Sequence, residues 1–302
     1  MAAPKVWVSA ARLRTLPLSL SGIIVGNALA LGQVGFRLSL FGLSLITAVA
    51  LQVLSNFAND YGDGIRGTDN ENRIGPKRMV QQRLLSPKAL MRGIIAMALF
   101  ALASALTLIY FAFGSLWAPE ALGFILLAIG AAIAAYTYTA GAYPYGYYGL
   151  GDLFVFLFFG LVAVAGSFYI QLQLFTPSVG YFASAIGLLS AAVLNLNNMR
   201  DYTSDKAAKK NTLVVFLGPQ RAKVYHFVLI LTALVAVVLG VLPLGMQPVY
   251  LCLLPVFLGF LWHLNAVRKV QQPQGYDPQL KVVALLTFGL SMLLLLTQGL
   301  LQ

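Results

Sequence analysis

The chain has 302 residues, of which 59% are hydrophobic and only 10% are charged, and its mean hydropathy is +0.82. Soluble domains carry about 25% charged residues, so this composition excludes an ordinary soluble protein and predicts an integral membrane protein. The net charge of +11 then indicates membrane topology and contact with anionic lipid, and we expect no nucleic-acid partner.

Nine apolar segments lie along the chain, each near the roughly 20 residues that a helix needs to cross the hydrocarbon core. None alternates between lipid-facing and lumen-facing residues as a barrel strand would. The sequence therefore predicts an all-α membrane protein that forms a single domain over residues 1–302. The predicted segments are about 17 to 35, 39 to 58, 93 to 113, 121 to 140, 152 to 171, 178 to 198, 225 to 243, 248 to 264 and 282 to 300.

Basic residues are distributed very unevenly between the two ends of these segments. With nine spans, every one of the 20 Lys and Arg residues except Arg37 lies on the same face of the membrane. The positive-inside bias makes that face cytoplasmic. The N-terminus is then cytoplasmic, and so are the polar ends of the second and sixth segments.

The first helix is predicted to begin at Thr15 and Pro17, because proline is tolerated in a first helical turn. Arg12 and Arg14 lie directly before it. They either anchor the helix end by snorkelling or serve a functional site, and the sequence leaves both interpretations open.

A stretch from Ser55 to Asp69, SNFANDYGDGIRGTD, concentrates amide and carboxylate side chains at the end of the second segment. Asn59 and Asp63 are spaced i, i+4, which places them on one face of a helix. The other amide and carboxylate residues of this stretch are Asn56, Asp60 and Asp69.

A second stretch, NLNNMRDYTSD from Asn195 to Asp205, has the same character at the end of the sixth segment. Asn197, Asp201 and Asp205 fall at i, i+4 and i+8, again on one helix face. Four spans separate the two stretches, so they lie on the same side of the membrane. We call them the first and second aspartate stretches.

Acidic residues are scarce elsewhere in the chain. Of the nine Asp and Glu residues, only Glu120 and Asp277 stand apart from the two stretches, the loop after the first stretch, and Asp152 at the start of the fifth segment. Acids at a membrane edge are functional by default, which favours a site built from these groups.

A run rich in tyrosine and glycine, from Tyr136 to Gly151, precedes Asp152. Its tyrosines form either an interfacial aromatic belt or a lining that stabilises a cation. His226 and His263 lie near the ends of later segments, and we assign them no role because lone histidines there are more often satisfied interfacial residues.

Two acidic faces on one side of a membrane favour a site for metal and phosphate. Mg²⁺ prefers oxygen ligands and is commonly held by one or two carboxylates plus substrate phosphates. A diphosphate on a lipid tail would place its head at these loops, among Arg and Lys, and its tail among the helices. If the tail is allylic, the carbocation needs an aromatic lining and exclusion of water.

Four ordered groups of motifs resemble those of the UbiA-type intramembrane prenyltransferases, whose fold is nine helices around a central cavity. The residues within these motifs are similar to those of one branch of the family, the 1,4-dihydroxy-2-naphthoate polyprenyltransferases of menaquinone biosynthesis. The match runs from about residue 11 to 218, and the last three segments resemble the family only in being apolar. The motifs are ARLRTLPLSLSGIIVG, NFANDYGDGIRGTD with RIGPKR, YTYTAG with YYGLGD and FFG, and LNNMRDYTSD with KNTLVVFLG.

The resemblance implies a Mg²⁺-dependent enzyme of the bacterial inner membrane. The enzyme would transfer a polyprenyl group from an allylic polyprenyl diphosphate to 1,4-dihydroxy-2-naphthoate, with loss of CO₂ and diphosphate, giving demethylmenaquinone. Its implied metal ligands are Asn59, Asp63, Asp69, Asn197, Asp201 and Asp205. Its implied catalytic residues are Asp63, Asp201, Tyr138 and Lys210. Candidate substrate-binding residues are Arg12, Arg14, Asn56, Asn59, Asp60, Arg73, Lys77, Arg78, Asn197 and Asp152.

The chain departs from the superfamily pattern in two places. Hydroxybenzoate members carry a Lys-Arg pair after the fourth helix, whereas Gly141 to Gly151 contains no basic residue. This argues against 4-hydroxybenzoate and leaves Arg12 and Arg14 as candidates for the acceptor carboxylate. In the first stretch, Gly67 occupies the i+8 position and Asp69 follows two residues later.

Two alternative functions stay open at this point. One is a prenyltransferase for another aromatic acceptor, such as 4-hydroxybenzoate. The other, more remote, is a secondary transporter, which should place ionisable groups near the bilayer midplane. Nearly all acids of this chain lie instead at helix ends.

Overall fold

The described part of the chain, residues 3–68, 74–76, 78–245 and 247–301 of a computed structural model, is helical and has no strand. A π-helical segment, Phe156–Gly166, joins α6 to α7. The α-helices are α1 (Pro4–Ala11), α2 (Leu16–Ala30), α3 (Leu38–Ile65), α4 (Pro87–Phe113), α5 (Pro119–Thr137), α6 (Gly151–Val155), α7 (Ser167–Leu172), α8 (Pro177–Arg200), α9 (Tyr202–Ala207), α10 (Leu213–Leu217), α11 (Pro219–Val241), α12 (Leu254–Lys269) and α13 (Tyr276–Leu300).

Nine helical spans of the described residues are long and apolar enough to cross a membrane, which confirms the predicted number. Their boundaries differ most where polar residues continue a helix. The second span, α3, runs to Ile65 instead of ending near residue 58. Hydropathy therefore falls before the helix ends, and the first aspartate stretch lies on regular helix.

The first span is broken at Arg12, whose backbone is left-handed with φ 51° and ψ 59°. Asn56 of α3 holds this break, because its Nδ2 donates to the Ala11 carbonyl at 2.8 Å and to Thr15 Oγ1 at 3.0 Å. A helix does begin at the predicted place, since α2 starts directly after Thr15. It is not the first helix, however, because α1, which was not predicted, precedes it in the same span. The arm that carries Arg12 and Arg14 is thereby fixed against the first aspartate stretch.

The most buried span is α8, which packs against α11, α13 and the π-helical segment. Glycines allow a very close approach. A Cβ added at Gly160 would lie 2.5 Å from the Ala183 carbonyl oxygen, and one at Gly187 would lie 2.7 Å from the Phe156 ring. Small residues at such contacts let membrane helices pack backbone to backbone. The second aspartate stretch therefore begins on the most firmly held helix.

Arg37 ties helices together at the end of the bundle opposite the aspartate stretches. Its Nη1 and Nη2 donate to the Phe111 and Ala112 carbonyls at 2.8 and 3.2 Å, where a cation complements the dipole at the C-terminus of α4. Gln171 accepts a hydrogen bond from the Arg37 backbone and donates to Asn27 Oδ1 at 2.7 Å. The one basic residue predicted on this face thus joins α2, α4 and α7.

Candidate active site

Asp63 lies in the last turn of α3 and is 2% exposed. Its carboxylate accepts hydrogen bonds from the Tyr147 hydroxyl at 2.9 Å and from Arg78 Nη2 at 3.3 Å, and Lys210 Nζ lies 3.5 Å from both oxygens. These partners come from the tyrosine run, the loop after α3 and the loop after α9. Asp63 is therefore the point at which three distant segments meet.

Asp60 faces the loop that follows α3. Its two oxygens accept hydrogen bonds from the Met79 and Val80 backbone amides at 3.0 and 3.2 Å. Hydrogen bonds to a carboxylate are stronger than neutral ones, so they fix the loop beside α3. Asp60 thereby positions Arg78 against Asp63, and a direct contact of Asp60 with substrate stays a prediction.

The second aspartate stretch spans the junction of α8 and α9. Asp201 lies at the junction, yet its amide still donates to the Asn197 carbonyl at 3.0 Å, and its carbonyl oxygen accepts from the Asp205 amide at 2.8 Å. The predicted i, i+4, i+8 spacing is therefore kept through the break. Both carboxylates are buried, as predicted for a site and not for a solvated helix end.

Arg200 lies among the predicted ligands of the second stretch. Its Nε and Nη2 donate to the two Asp201 oxygens at 2.8 and 2.7 Å, and Nη2 also donates to Asn197 Oδ1 at 2.8 Å. Its Nη1 donates to Asp277 Oδ1 at 2.6 Å. The prediction that Asp277 stands apart is wrong, because folding brings the first turn of α13 against this stretch.

Lys210 connects the two aspartate stretches. Burial lowers the pKa of Lys210, but the charges of Asp63 and Asp205 outweigh burial and raise that pKa above its ordinary value. The ammonium lies 5.3 Å from the centre of the Tyr147 ring, and the Asn211 amide donates to the Tyr147 carbonyl at 3.1 Å. Lys210 is therefore a protonated, buried cation between both stretches.

A cavity of about 340 Å³ extends from Asn59 and Tyr138 into the bundle. Thr139 Oγ1 donates to Asn59 Oδ1 at 3.2 Å, and the Tyr138 ring meets the Tyr145 ring edge to face at 5.3 Å. Burial raises the pKa of the Tyr138 phenol, and the charge of Asp63 raises it further, so the phenol stays neutral. The aromatic and large aliphatic walls beyond them include Leu108, Phe124, Phe154, Phe158, Phe159 and Ile170.

Arg14 and Asp152 lie at the margins of this arrangement. Arg14 is within electrostatic range of Asp277 and Arg200, so the N-terminal arm approaches the second aspartate stretch. Asp152 is buried beside Tyr225 of α11 and is not among the residues that line the described cavity. Substrate contacts of both residues stay predictions.

Three predicted residues, Asp69, Arg73 and Lys77, lie outside the described part of the chain. The sequence reasoning missed two residues that the fold places in the site, Tyr147 and Arg200. Each lies in a segment that had been singled out, the tyrosine run and the second aspartate stretch. Neither spacing nor composition distinguishes them from their neighbours, since their roles depend on contacts with distant segments.

The donor groups fit a hard divalent cation. Asp63, Asp201 and Asp205 are buried carboxylates accompanied by amide oxygens, the ligand chemistry that Mg²⁺ prefers. Within the described residues, no three His, Cys, Asp or Glu side chains lie close enough to hold a metal by themselves. Such sites complete their coordination with substrate phosphate, and Lys210 and Arg200 add the positive charge that a polyanion needs.

Residues 19–285, most of the chain, match the UbiA prenyltransferase family. The chain belongs to that family. A relative from Escherichia coli, named 1,4-dihydroxy-2-naphthoate octaprenyltransferase, is 44% identical over 235 residues, which cover 78% of this chain and 76% of the relative. A protein of the same name from Haemophilus influenzae is 45% identical over 231 residues, covering 76% of this chain and 74% of that relative.

Solved structures of the UbiA family share this fold. A UbiA homolog from Archaeoglobus fulgidus bound to GPP and Mg²⁺ aligns with a TM-score of 0.68 and 17% identity, over 96% of this chain and 99% of that chain. The same homolog bound to DMAPP and Mg²⁺ gives 0.66, also at 17% identity, over 96% and 98%. This likeness confirms the predicted all-α UbiA-type membrane fold.

Proposed function

We propose that this UbiA family member transfers a polyprenyl group from an allylic polyprenyl diphosphate to 1,4-dihydroxy-2-naphthoate. One observation carries the proposal: the buried Asp63, with Lys210 and Arg78, lies one helical turn from Asn59, which lines an apolar cavity in the bundle. A charged region suited to a diphosphate head thus adjoins an apolar region suited to a prenyl tail. The names of the relatives at 44% and 45% identity support the naphthoate acceptor.

The reaction breaks the C–O bond between the first prenyl carbon and the diphosphate. A C–C bond forms between that carbon and the electron-rich naphthoate ring. The ring loses its carboxyl group as CO₂, and the electrons of that bond restore aromaticity. The product is demethylmenaquinone in its quinol form, and no covalent nucleophile from the protein is needed.

The position of each side chain in the site indicates its role in this reaction. Lys210 and Arg78 bind the diphosphate, because both are buried cations beside Asp63. Tyr138 lines the cavity with Asn59, and its neutral aromatic ring would stabilise positive charge on the prenyl carbon there without capturing it. The apolar walls exclude water that would otherwise hydrolyse the cation.

Bound Mg²⁺ would supply further neutralisation of the departing diphosphate. Arg73 and Lys77, which are outside the described residues, are proposed as additional diphosphate contacts, and Arg12 and Arg14 as contacts of the acceptor carboxylate. The residues proposed to hold the metal are Asn59, Asp63, Asp69, Asn197, Asp201 and Asp205.

We also propose that residues 1–302 form one domain in a bacterial inner membrane, with the N-terminus and both aspartate stretches on the cytoplasmic side. All Lys and Arg except Arg37 support this orientation through the positive-inside bias. A polyprenyl diphosphate and the acceptor would then both reach the site at the cytoplasmic surface.

The test is a product assay by mass spectrometry on detergent-purified protein. The protein is given an all-trans polyprenyl diphosphate, Mg²⁺, and either 1,4-dihydroxy-2-naphthoate or 4-hydroxybenzoate. We expect a prenylated, decarboxylated naphthoquinol from the first acceptor alone. A prenylated hydroxybenzoate that keeps its carboxylate would overturn the acceptor, and the absence of diphosphate release with either acceptor would overturn the enzyme.

A further inference from the structure

We propose that Arg200 and Asp277 form a positioning pair that holds Asn197 and Asp201 in the geometry needed to bind metal and diphosphate. This inference rests on the proposed function, since it concerns the same site. It assigns a role to the last helix, α13, in which sequence motifs indicate no function.

The hydrogen bonds of Arg200 are the first support. The guanidinium makes four of them, two to Asp201, one to Asn197 and one to Asp277, all between 2.6 and 2.8 Å. Arg200 is 3% exposed, and a buried arginine is costly unless its donors are paired with excellent geometry. This geometry ties the orientations of the Asp201 and Asn197 side chains to one rigid, planar group.

Arg200 is compatible with a metal at Asp201. A carboxylate has about four lone-pair sites on its two oxygens, so two hydrogen bonds from Arg200 do not use its full capacity as a ligand. Partners of this kind, one shell beyond the metal, orient ligands and are often as necessary as the ligands themselves. The arrangement therefore favours positioning by Arg200 over competition with the metal.

Asp277 anchors the guanidinium from the other side. It lies in the first turn of α13, where the helix dipole favours a carboxylate, and it is bonded to Arg200 across 77 residues of sequence. Its side chain is 35% exposed, so it can be changed without opening a hole in the core. Without Asp277 the guanidinium would keep Asp201 but lose the contact that fixes its distance from α13.

The experiment measures metal binding without turnover. Mn²⁺ is titrated, with electron paramagnetic resonance detection, into the full-length purified protein in the presence of inorganic pyrophosphate. We compare the wild type with Asp277→Asn, Asp277→Glu and Glu120→Gln, and follow thermal unfolding of each. Glu120 is a matched control because it is also an acid in the first turn of a helix, α5, at the opposite end of the bundle.

Asp277→Asn keeps an oxygen that can accept from Arg200 but removes the negative charge of the pair, and we expect it to weaken Mn²⁺ binding about tenfold, the lower end of the range for changing an outer-shell partner. Asp277→Glu should restore most of the affinity, and Glu120→Gln should match the wild type. Asp277→Asn that binds Mn²⁺ as the wild type does, with or without a lower unfolding temperature, would overturn the inference and leave a purely structural contact.

Substitution of Arg200 separates positioning from competition. Arg200→Lys keeps the charge but loses the planar, bidentate hydrogen bonding to Asp201, so we expect weaker Mn²⁺ binding. Tighter binding in this variant would mean that Arg200 competes with the metal, and the inference would fail. If the wild type itself binds no Mn²⁺ with pyrophosphate, the metal site of the proposed function fails, which is distinct from a failure confined to the variants.

Discussion

Replacing Lys210 by methionine tests the central electrostatic argument. The change removes one buried cation and leaves a side chain of similar length and volume. Asp63 keeps the Tyr147 hydroxyl at 2.9 Å and Arg78 at 3.3 Å, whereas the lost contact to Lys210 is the longest of the three, at 3.5 Å. We therefore expect the variant to fold, because Asp63 retains two partners.

The loss should appear in catalysis, where Lys210 is proposed to bind the departing diphosphate. A hydrogen bond to a charged group contributes about 1.5–3 kcal/mol, and each 1.4 kcal/mol is about a factor of ten, so kcat/KM should fall about 10- to 150-fold. The assay is diphosphate release at saturating Mg²⁺. Lys210→Arg keeps the charge and should recover part of the rate.

Lys209→Met is the matched control. It removes the same charge one residue earlier, from an exposed side chain of the same loop. We expect it to stay within about twofold of the wild type, since exposed charges in water contribute little. If both methionine variants lose the same activity, only the general charge of the loop matters. If Lys210→Met keeps full activity, Lys210 has no part in binding diphosphate.

Three further outcomes are expected. Asp60→Asn should lower the free energy of unfolding by about 1.5–3 kcal/mol, because an amide cannot accept from both the Met79 and Val80 backbone amides; an unchanged denaturation midpoint would contradict this. Tyr147→Phe removes the hydroxyl that donates to Asp63 and should lower kcat/KM about 10- to 150-fold, as expected for one hydrogen bond to a charged group; a loss above a thousandfold would mean that the hydroxyl acts directly in the chemistry. Chelation of divalent metal should abolish prenyl transfer, and added Mg²⁺ should restore it, whereas activity that persists in excess chelator would exclude a metal requirement.

The number and order of spans could be predicted because length and hydropathy report directly on helices that cross a bilayer. Their ends could not. Asn59, Asp60 and Asp63 lower the local hydropathy, but their backbone continues as helix to Ile65. A hydropathy window therefore ends the predicted segment too early, because polar side chains lower hydropathy and yet are fully compatible with helical hydrogen bonding.

The carboxylates of the site could be predicted from spacing, and their partners could not. Asp277 is the clearest case, because its contact with Arg200 arises from the packing of α13 against α8 and has no local signal. The two histidines are another case in which the partner could not be predicted. His226 and His263 were expected to be lone interfacial residues, but they are fully buried and their Nε2 atoms lie 2.8 Å apart. Such pairs become visible only when helices α11 and α12 are placed side by side.

The charges of the site explain why the carboxylates and the cations have to be considered together. An ionised carboxylate buried without a partner costs several kcal/mol. Lys210 and Arg78 are ion-paired with Asp63, and Arg200 is ion-paired with Asp201. The same cations would attract a diphosphate, so the groups that compensate the buried carboxylates are also those proposed to bind the substrate. The aspartate spacing therefore specifies only the carboxylates of the site, and the loops and the end of α8 specify the cations that pair with them.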